Sequence, residues 1–193
     1  MKKDIILAGV GGQGILSIAA TIGTAGVAKN LYLKQAEVHG MSQRGGDVQS
    51  NLRLSDKPIA SDLIPMGKAD LIISVEPMES LRYLNFLSDD GWLITNTTPF
   101  NNISNYPEMD ELLAEIKKLP QHIALDADQI AKDIGVKKAA NIVVLGAASP
   151  FLDIEYEALE NAIKSIFKNK GQEVIDVNLE ALKAGRDFAE KNR

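Results

Sequence analysis

The sequence predicts a three-layer α/β/α fold with a Rossmann-like, mostly parallel sheet and extra helices at the C-terminal end. Three observations support this prediction. Short apolar runs typical of buried strands alternate with segments of helical period. A glycine-rich turn joins the first of these runs to a long helical segment. The last third of the chain shows helical periodicity only.

The first half of the chain begins with a buried strand at 5–8 and a helix at 15–28. That helix is apolar nearly all round, so we expect it to be heavily buried. A strand at 48–54 alternates apolar and polar residues, which predicts one solvated face. Another buried strand is expected at 71–75, and Pro77 suits the first position of the helix that follows.

The second half continues with a strand at 92–95, a polar loop at 96–107 and an amphipathic helix at 108–118. A short strand is expected at 123–126, after which Asp128 can cap a helix at 129–134. The segment 139–148 is compatible with a buried helix or a buried strand, and we favour the helix. Two amphipathic helices close the chain, with Leu159 and Ile163 sharing a face of the first.

Length and composition predict one domain covering residues 1–193, because 193 residues with 45% apolar content suffice for one buried core. The formal net charge is −5, and the basic residues are dispersed. A nucleic-acid partner is therefore not expected. No apolar run approaches the ~18 residues that a membrane span needs. The N-terminal run is interrupted by glycines without a cleavage site, so we interpret it as a strand and expect a cytoplasmic protein.

Residue types restrict the chemistry that the chain can perform. It contains no cysteine and only two histidines, His39 and His122, neither of which lies at a metal-site spacing. Disulfides, thiolate nucleophiles and cysteine-ligated iron–sulfur clusters in this chain are therefore excluded. Phosphate-loop, nucleophile-elbow and thiamine-diphosphate signatures are absent from the sequence as well.

The first candidate site is the loop Gly9-Val10-Gly11-Gly12-Gln13-Gly14, which follows a predicted strand and opens a predicted helix. Glycines allow a tight turn and close backbone approach, and a helix N-terminus offers free N–H groups to an anion. Either the loop contacts an anion or cofactor, or it is only a tight turn. A dinucleotide site also needs an acid that ends the second strand. Glu37 is a candidate, but it leads into a glycine-punctuated loop.

The second candidate site is the block that contains Ser42, Gln43, Arg44, Gly45 and Gly46. Arg44 supplies a planar fork of donors, and the two glycines can turn backbone N–H groups towards one ligand. The block is thus suited to recognising an anion or a partner protein, although a solvated loop would look similar.

A third group of polar residues follows the predicted strands. Glu76, the segment 96–98 and Asp126 lie at carboxyl ends, where parallel sheets collect ligands. Each also has a structural explanation as a helix cap or turn former.

Together these blocks resemble the gamma-type domain of the 2-oxoacid:ferredoxin oxidoreductase family, over essentially the whole chain. The match rests on the Gly9–Gly14 loop joined to Glu-Val-His-Gly-Met-Ser-Gln-Arg-Gly-Gly at 37–46, with further similarity at 69–77 and 141–146. A free-standing chain of this length is most similar to the small (beta) subunits of indolepyruvate ferredoxin oxidoreductases.

The resemblance implies a division of labour. The large (alpha) subunit of such enzymes carries thiamine diphosphate and the iron–sulfur clusters, cleaves the 2-oxoacid, and passes electrons to ferredoxin, while coenzyme A accepts the acyl group. This chain is then expected to hold no cofactor alone, to contribute no catalytic residue, and to face coenzyme A or its partner. The candidate cofactor-binding residues are Gly9, Gly11, Gly12, Gln13, Gly14, Ser42, Gln43, Arg44, Gly45 and Gly46.

Two other hypotheses remain open at this point. The chain could be a stand-alone nucleotide or dinucleotide-binding module that uses the Gly9–Gly14 loop. Alternatively, it could be a purely structural subunit whose Arg44 docks a carboxylate of its partner.

Overall fold

The computed structural model describes residues 1–40, 45–101, 103–136 and 138–193. The strands are β1 (Lys2–Val10), β2 (Tyr32–His39), β3 (Asp47–Ser55), β4 (Ala69–Ser74), β5 (Leu87–Asn96) and β6 (His122–Leu125). The helices are α1 (Ile15–Ala28), α2 (Pro77–Arg82), α3 (Met109–Ile116), α4 (Ala127–Asp133), α5 (Ala140–Ala148), α6 (Tyr156–Phe167) and α7 (Gln172–Asn192).

The strands form a six-stranded mixed sheet in the order β2-β3-β1-β4-β5-β6. Strands β1, β4, β5 and β6 pair in parallel, whereas β3 is antiparallel to both β1 and β2. The sheet is therefore mostly parallel, as predicted. It departs from the strand order of a doubly wound sheet, because the neighbour of β1 on the side away from β4 is the antiparallel strand β3 and not a parallel strand.

Helices cover both faces of this sheet. Side chains such as Ile5 and Leu7 point into the larger core, which α1, α4, α5, α6 and α7 complete. Their neighbours Ile6 and Ala8 point into a smaller core against residues of α3 and the end of α2. Burial on both faces explains why β1 reads as one continuous apolar run rather than an alternating pattern.

Strand β2 corrects the expectation that Glu37 leads into a loop. It is an eight-residue strand that pairs with β3 throughout its length, from Tyr32 opposite Ser55 to His39 opposite Val48. It lies at the edge of the sheet and is largely exposed or half-buried. Its sequence is polar and does not alternate, so no strand pattern is visible in it. The segment is a strand because its backbone hydrogen-bonds to β3.

The predicted solvated face of β3 is also wrong. The segment between β3 and β4 folds over that face, and the N–H of Ile64 donates to Asn51 Oδ1 at 3.0 Å. Arg53 donates to the carbonyl oxygens of Ser61 and Leu63 at 3.0 and 2.9 Å. Its Nε and Nη2 also donate to the two carboxylate oxygens of Asp4 at 2.8 and 2.9 Å. Asp4 is only 1% exposed, so this bidentate pair neutralises a buried charge.

The expected cap of the helix after β6 is displaced by two residues. Asp126, not Asp128, is the N-cap of α4, and its carboxylate accepts from the N–H of Gln129 at 2.8 Å. Asp128 instead lies in the first helical turn and accepts a hydrogen bond from Asn96. Both aspartates suit this end of a helix, because the backbone dipole favours negative charge there.

Segment 139–148 is helical, as favoured, and forms the centre of the larger core as α5. Its Val143, Val144 and Leu145 are fully buried, and each such side chain contributes about 1.5–3 kcal/mol.

Helix α7 crosses α5 at two glycines. A Cβ atom at Gly146 would lie 2.1 Å from the carbonyl oxygen of Leu182, and one at Gly185 would lie 1.9 Å from that of Val143. The two backbones therefore touch directly.

Helix α1 has the predicted bounds but is not buried all round. Eight of its residues are buried, while Leu16 is 60% and Val27 is 54% exposed. Ala20 is exposed on the same side of the helix. An apolar strip of α1 therefore faces away from the core.

Candidate functional site

The Gly9–Gly14 loop joins β1 to α1 and depends on backbone conformations that favour glycine. Gly12 and Gly14 have φ angles of 101° and 82°, and Gly14 is the N-cap residue of α1. A Cβ atom at Gly14 would lie 2.5 Å from Asn141 Nδ2, which donates to the Gly14 carbonyl oxygen at 3.1 Å. Glycine at position 14 thus permits both the turn and the contact with α5.

Gln13 shapes this loop from within. Its Oε1 accepts from the N–H of Val10 at 2.8 Å, and its Nε2 donates to the carbonyl oxygen of Val75 at 3.4 Å. The side chain therefore bridges the carboxyl ends of β1 and β4. Its amide is engaged inside the protein, so its clearest role is to hold the loop in shape.

The structure brings the two predicted glycine blocks together. The N–H of Gly11 donates to the carbonyl oxygen of Gly46 at 2.8 Å, and that of Gly45 donates to the Gly11 carbonyl oxygen at 3.4 Å. Ser42, Gln43 and Arg44 lie outside the described residues. Because Gly45 and Gly46 pair with the loop, the second block ends beside the first.

A cavity of about 480 Å³ opens beside the N-terminus of α1. It is lined by the loop, by Leu16, and by side chains of β2 and β3, among them Glu37, His39 and Val48. Oε2 of Glu37 is buried and has no hydrogen-bond partner within the described ranges. The cavity thus combines the positive end of a helix dipole with a carboxylate, which makes it a poor site for an anion.

A second cleft, of about 380 Å³, lies on the other side of the loop. It is located between the carboxyl ends of β1 and β4. From β1 the chain continues into α1 on one face of the sheet, and from β4 it continues into α2 on the other face. Ligands of open α/β sheets bind at such switch points. The cleft is lined by Gly12, Gln13, Val75, Asn96, Asp128, Lys138, Ala140, Asn141 and Val144. Lys138 is exposed there and is a cation that an anionic ligand could meet.

Asn96 organises the floor of this cleft and is 4% exposed. Its Nδ2 donates to Asp128 Oδ2 at 2.8 Å, and its Oδ1 accepts from the N–H groups of Ala127 and Thr98 at 3.0 and 3.3 Å. The side chain therefore joins the end of β5 to the start of α4. This supports the structural explanation of the 96–98 segment.

Glu76 is fully buried at the next strand end and has a comparable structural role. One oxygen caps α2 by accepting from the N–H of Glu79 at 2.8 Å. The other accepts from the N–H of Phe100 at 3.2 Å and from the Tyr106 hydroxyl. Glu76 thus fixes the loop between β5 and α3. Burial, together with the hydrogen bond to Glu76, raises the pKa of Tyr106 above its ordinary range.

Glu79 is the second buried carboxylate of this region, at 1% exposure. Arg82 donates to it from Nε at 2.7 Å and from Nη2 at 3.2 Å. Burial raises the pKa of Glu79, and the hydrogen bonds and charge of Arg82 oppose that shift.

The described residues place backbone N–H groups, amides and one lysine around two openings. Among them no group of three histidine, cysteine or acidic side chains could hold a metal ion. In the same part of the chain, no helix is both long and apolar enough to cross a bilayer. The arrangement can bind and orient a ligand or a neighbouring protein.

The sequence predicted the two glycine blocks and, in the segment 96–98, Asn96 of the cleft, but not the other side chains that complete the openings. Glu37 was considered as a dinucleotide ligand and as part of the block at 37–46. Asn141 entered only as the first residue of the similar segment 141–146, and Lys138 carried no local signal. Both lie more than 120 residues after the loop that they approach, so only the tertiary fold reveals them.

Comparison with known proteins identifies the family. The family model "Pyruvate ferredoxin/flavodoxin oxidoreductase" matches residues 4–188. "Indolepyruvate oxidoreductase subunit IorB" of Archaeoglobus fulgidus is 37% identical over 202 residues, covering 100% of this chain and 98% of the relative. The chain therefore belongs to the pyruvate ferredoxin/flavodoxin oxidoreductase family, which confirms the resemblance seen in the sequence. Its full-length relative is a subunit of an oxidoreductase.

Solved structures agree on the fold. The pyruvate oxidoreductase subunit PORC of Thermotoga maritima superposes with a TM-score of 0.72 at 23% identity, covering 97% of this chain and 96% of that one. The 2-oxoglutarate:ferredoxin oxidoreductase of Magnetococcus marinus, solved with 2-oxoglutarate, coenzyme A and succinyl-CoA bound, gives a TM-score of 0.77 at 22% identity. There the match covers 98% of this chain and 31% of that chain. The predicted α/β fold is thus confirmed.

Proposed function

We propose that this chain is the small subunit of a thiamine-diphosphate-dependent 2-oxoacid:ferredoxin oxidoreductase, with indolepyruvate or a related arylpyruvate as substrate. The complex would convert the 2-oxoacid, coenzyme A and oxidised ferredoxin into an acyl-CoA, carbon dioxide and reduced ferredoxin. The observation that carries the proposal is the end-to-end similarity to an indolepyruvate oxidoreductase subunit. We expect the complex to act in the cytoplasm.

The absence of cysteine supports a division of labour between subunits. Iron–sulfur clusters are held by cysteine thiolates, and this chain has none. Such clusters do not fit the donor set available here, so the electron-transfer groups would belong to the large subunit, together with thiamine diphosphate. In this arrangement the small subunit shapes the complex and contributes to ligand handling.

Coenzyme A is the cofactor that the described residues fit best. It would supply the thiol that accepts the acyl group. The switch-point cleft offers the flexible cation of Lys138 and the Gly12 backbone, which suit its phosphates. Both openings are lined by a carboxylate, but that of Asp128 accepts a hydrogen bond from Asn96 at 2.8 Å and shares its cleft with Lys138. The cavity that contains Glu37 is less suitable, because its lining among the described residues includes neither lysine nor arginine to offset the carboxylate. We propose that the residues Ser42 to Gly46 contact coenzyme A or the large subunit.

Co-expression with a candidate large subunit, a thiamine-type and cysteine-rich protein from the same source, tests the assignment. We expect the two proteins to co-purify and to reduce ferredoxin when given indolepyruvate and coenzyme A. Aliphatic 2-oxoacids, assayed in parallel, would show whether the arylpyruvate preference is correct. If the two proteins do not associate, the assignment is refuted. If they react equally fast with every 2-oxoacid, only the proposed arylpyruvate preference is refuted.

Lys138 can be tested in the same complex. Lys138→Ala should raise the KM for coenzyme A and leave the KM for the 2-oxoacid unchanged, since the lysine would contact phosphate only. Lys132→Ala, which removes an exposed lysine of α4, serves as the matched control. An unchanged KM for coenzyme A would place the cofactor elsewhere.

The stand-alone dinucleotide module is disfavoured by the sheet order. Such sites need the acidic residue on the strand next to β1, whereas β3 separates β1 from the strand that carries Glu37. Titration of the isolated chain with nicotinamide and flavin nucleotides would decide the question. Micromolar binding would favour the module.

A further inference from the structure

Glu37 has an unsatisfied side chain at the edge of the sheet. Its Oε2 is buried and lacks a hydrogen-bond partner within the described ranges. Its side chain lines the cavity of about 480 Å³ beside the first turn of α1. A buried carboxylate oxygen without a donor loses its hydration and gains nothing in return. Such an atom therefore calls for a donor from outside this part of the chain.

The surface around Glu37 is mainly apolar and is exposed in the part of the chain that the structure describes. On α1, Leu16, Ala20 and Val27 are exposed, and Leu33 of β2 is 37% exposed beside them. Together with the edge of β2 they form what we call the α1–β2 face. A groove of about 490 Å³ runs between the helix and the strand along this face. Exposed apolar surface of this kind, next to an unpaired strand edge, is typical of a protein interface.

The charge of Glu37 indicates what such a partner presents. A phosphate or carboxylate would be repelled from a cavity that already holds a carboxylate. An ammonium or guanidinium group would supply donors and neutralise the charge, and arginine can do so with a planar fork. Interface centres are mainly apolar and are depleted in acidic residues and lysine, but arginine is enriched there, so an arginine that neutralises Glu37 within apolar contacts suits such a centre.

We infer that the α1–β2 face docks on the large subunit, and that Glu37 receives a basic side chain of that subunit. This inference rests on the proposed function, which supplies the large subunit. To the proposed function it adds the surface that contacts the large subunit, which is the α1–β2 face, and the residue that selects a basic group there, which is Glu37. The unpartnered oxygen in the free chain is then a group that assembly satisfies.

The test compares Glu37→Gln with Glu111→Gln in binding to the large subunit, measured by biolayer interferometry. Both substitutions remove one negative charge, but Glu111 is exposed on α3, outside the α1–β2 face. Losing one member of a buried charge pair should weaken binding about tenfold or more. Glu111→Gln should leave the affinity unchanged. Val27→Asp, which places a charge on the apolar groove, should weaken binding as well.

The isolated chain provides an independent readout. If Oε2 lacks a donor before assembly, Glu37→Gln should leave the thermal midpoint of the free chain unchanged or raise it. A lowered midpoint would show that a donor within this chain already satisfies Glu37, and would overturn the inference. Equal affinities of the wild type and Glu37→Gln for the large subunit would also overturn it.

The failure of the inference can be distinguished from that of the proposed function. If the wild-type chain does not bind the large subunit at all, the proposed function itself is wrong. If it binds and Glu37→Gln binds equally well, only the docking inference fails. Tight binding of AMP or ADP by the free chain, abolished by Glu37→Gln, would assign the cavity to a ribose and contradict the basic partner.

Discussion

The crossing of α5 and α7 at Gly146 and Gly185 is the feature whose disruption should have the largest effect on stability. We consider Gly185→Ala. The new Cβ atom would lie 1.9 Å from the carbonyl oxygen of Val143 and 2.9 Å from the N–H nitrogen of Ala147. Both contacts are with backbone, so no rotamer change can relieve them. The two helices would have to separate, although they pack together in the centre of the larger core.

The expected cost follows from this geometry. Overpacking a core typically costs about 1–3 kcal/mol, and a contact between two backbones belongs at or above the upper end. Replacing glycine by alanine in a helix returns about 1 kcal/mol of intrinsic helix propensity. We therefore expect a net loss of about 2–4 kcal/mol. For a chain of this size that corresponds to a fall of very roughly 4–16 °C in Tm.

Gly23→Ala is the matched control, because it makes the same change inside α1. There the new Cβ atom would meet only Leu33 Cδ2 at 3.1 Å, and that exposed side chain can move aside. This variant should be as stable as the wild type, or more stable by up to about 1 kcal/mol. Urea unfolding followed by circular dichroism gives both free energies. If Gly185→Ala unfolds with a free energy within about 0.5 kcal/mol of the wild type, the direct backbone contact is refuted.

Three further predictions concern the sheet, the buried acid and the loop. Arg53→Ala should lower the free energy of unfolding by about 2 kcal/mol, because buried Asp4 loses its bidentate partner and keeps only Lys2, whose Nζ lies 2.7 Å from Asp4 Oδ2. Urea titration measures this loss, and a value below about 0.5 kcal/mol would contradict it. The pKa of Glu79 is raised in the folded protein, so its contribution to stability falls as the pH rises through the unfolded value of 4.5. The Tm of Glu79→Gln relative to wild type should therefore increase between pH 4 and pH 7, and a flat difference would oppose the burial argument. Gly14→Ala should destabilise the chain and weaken assembly, since its φ of 82° and the 2.5 Å approach to Asn141 exclude a Cβ atom; thermal melting and co-purification check both effects, and a fully stable, assembling variant would refute them.

Local patterns identified much of the fold. The bounds of α1, the position of Pro77 at the start of α2, and the helical state of α5 all followed from apolar runs and terminus signals. These features were accessible because they depend on neighbours in the sequence. Of these elements, α1 differs from the prediction in one respect, its exposed apolar strip. The strip could not be predicted because the number of elements that pack on a helix depends on the whole fold.

The remaining fold depended on distant contacts. Strand β2 exists because β3 pairs with it, and the second face of β3 is buried because the segment before β4 folds over it. Asp126 caps α4, while Asp128 accepts a hydrogen bond from Asn96 at the end of β5, 32 residues earlier in the chain. None of these partners is adjacent in the sequence.

The candidate site divides in the same way. Its glycines were visible, because only glycine suits those turns, and their mutual pairing through Gly11 and Gly46 agrees with their joint appearance in the family pattern. The lining residues Asn141 and Lys138 come from a different part of the chain, and their position beside the loop is visible only in three dimensions. The unpartnered oxygen of Glu37 is likewise a property of the assembled edge of the sheet.

The central claim is that this chain supports 2-oxoacid oxidation only together with a large thiamine and iron–sulfur subunit. The most direct measurement is indolepyruvate-dependent reduction of ferredoxin, in the presence of coenzyme A, by a fixed amount of large subunit as this chain is added. We predict that this chain alone gives no reduction and that the rate rises and saturates as it is added. A rate that does not respond to this chain, or turnover by this chain alone, would contradict the claim.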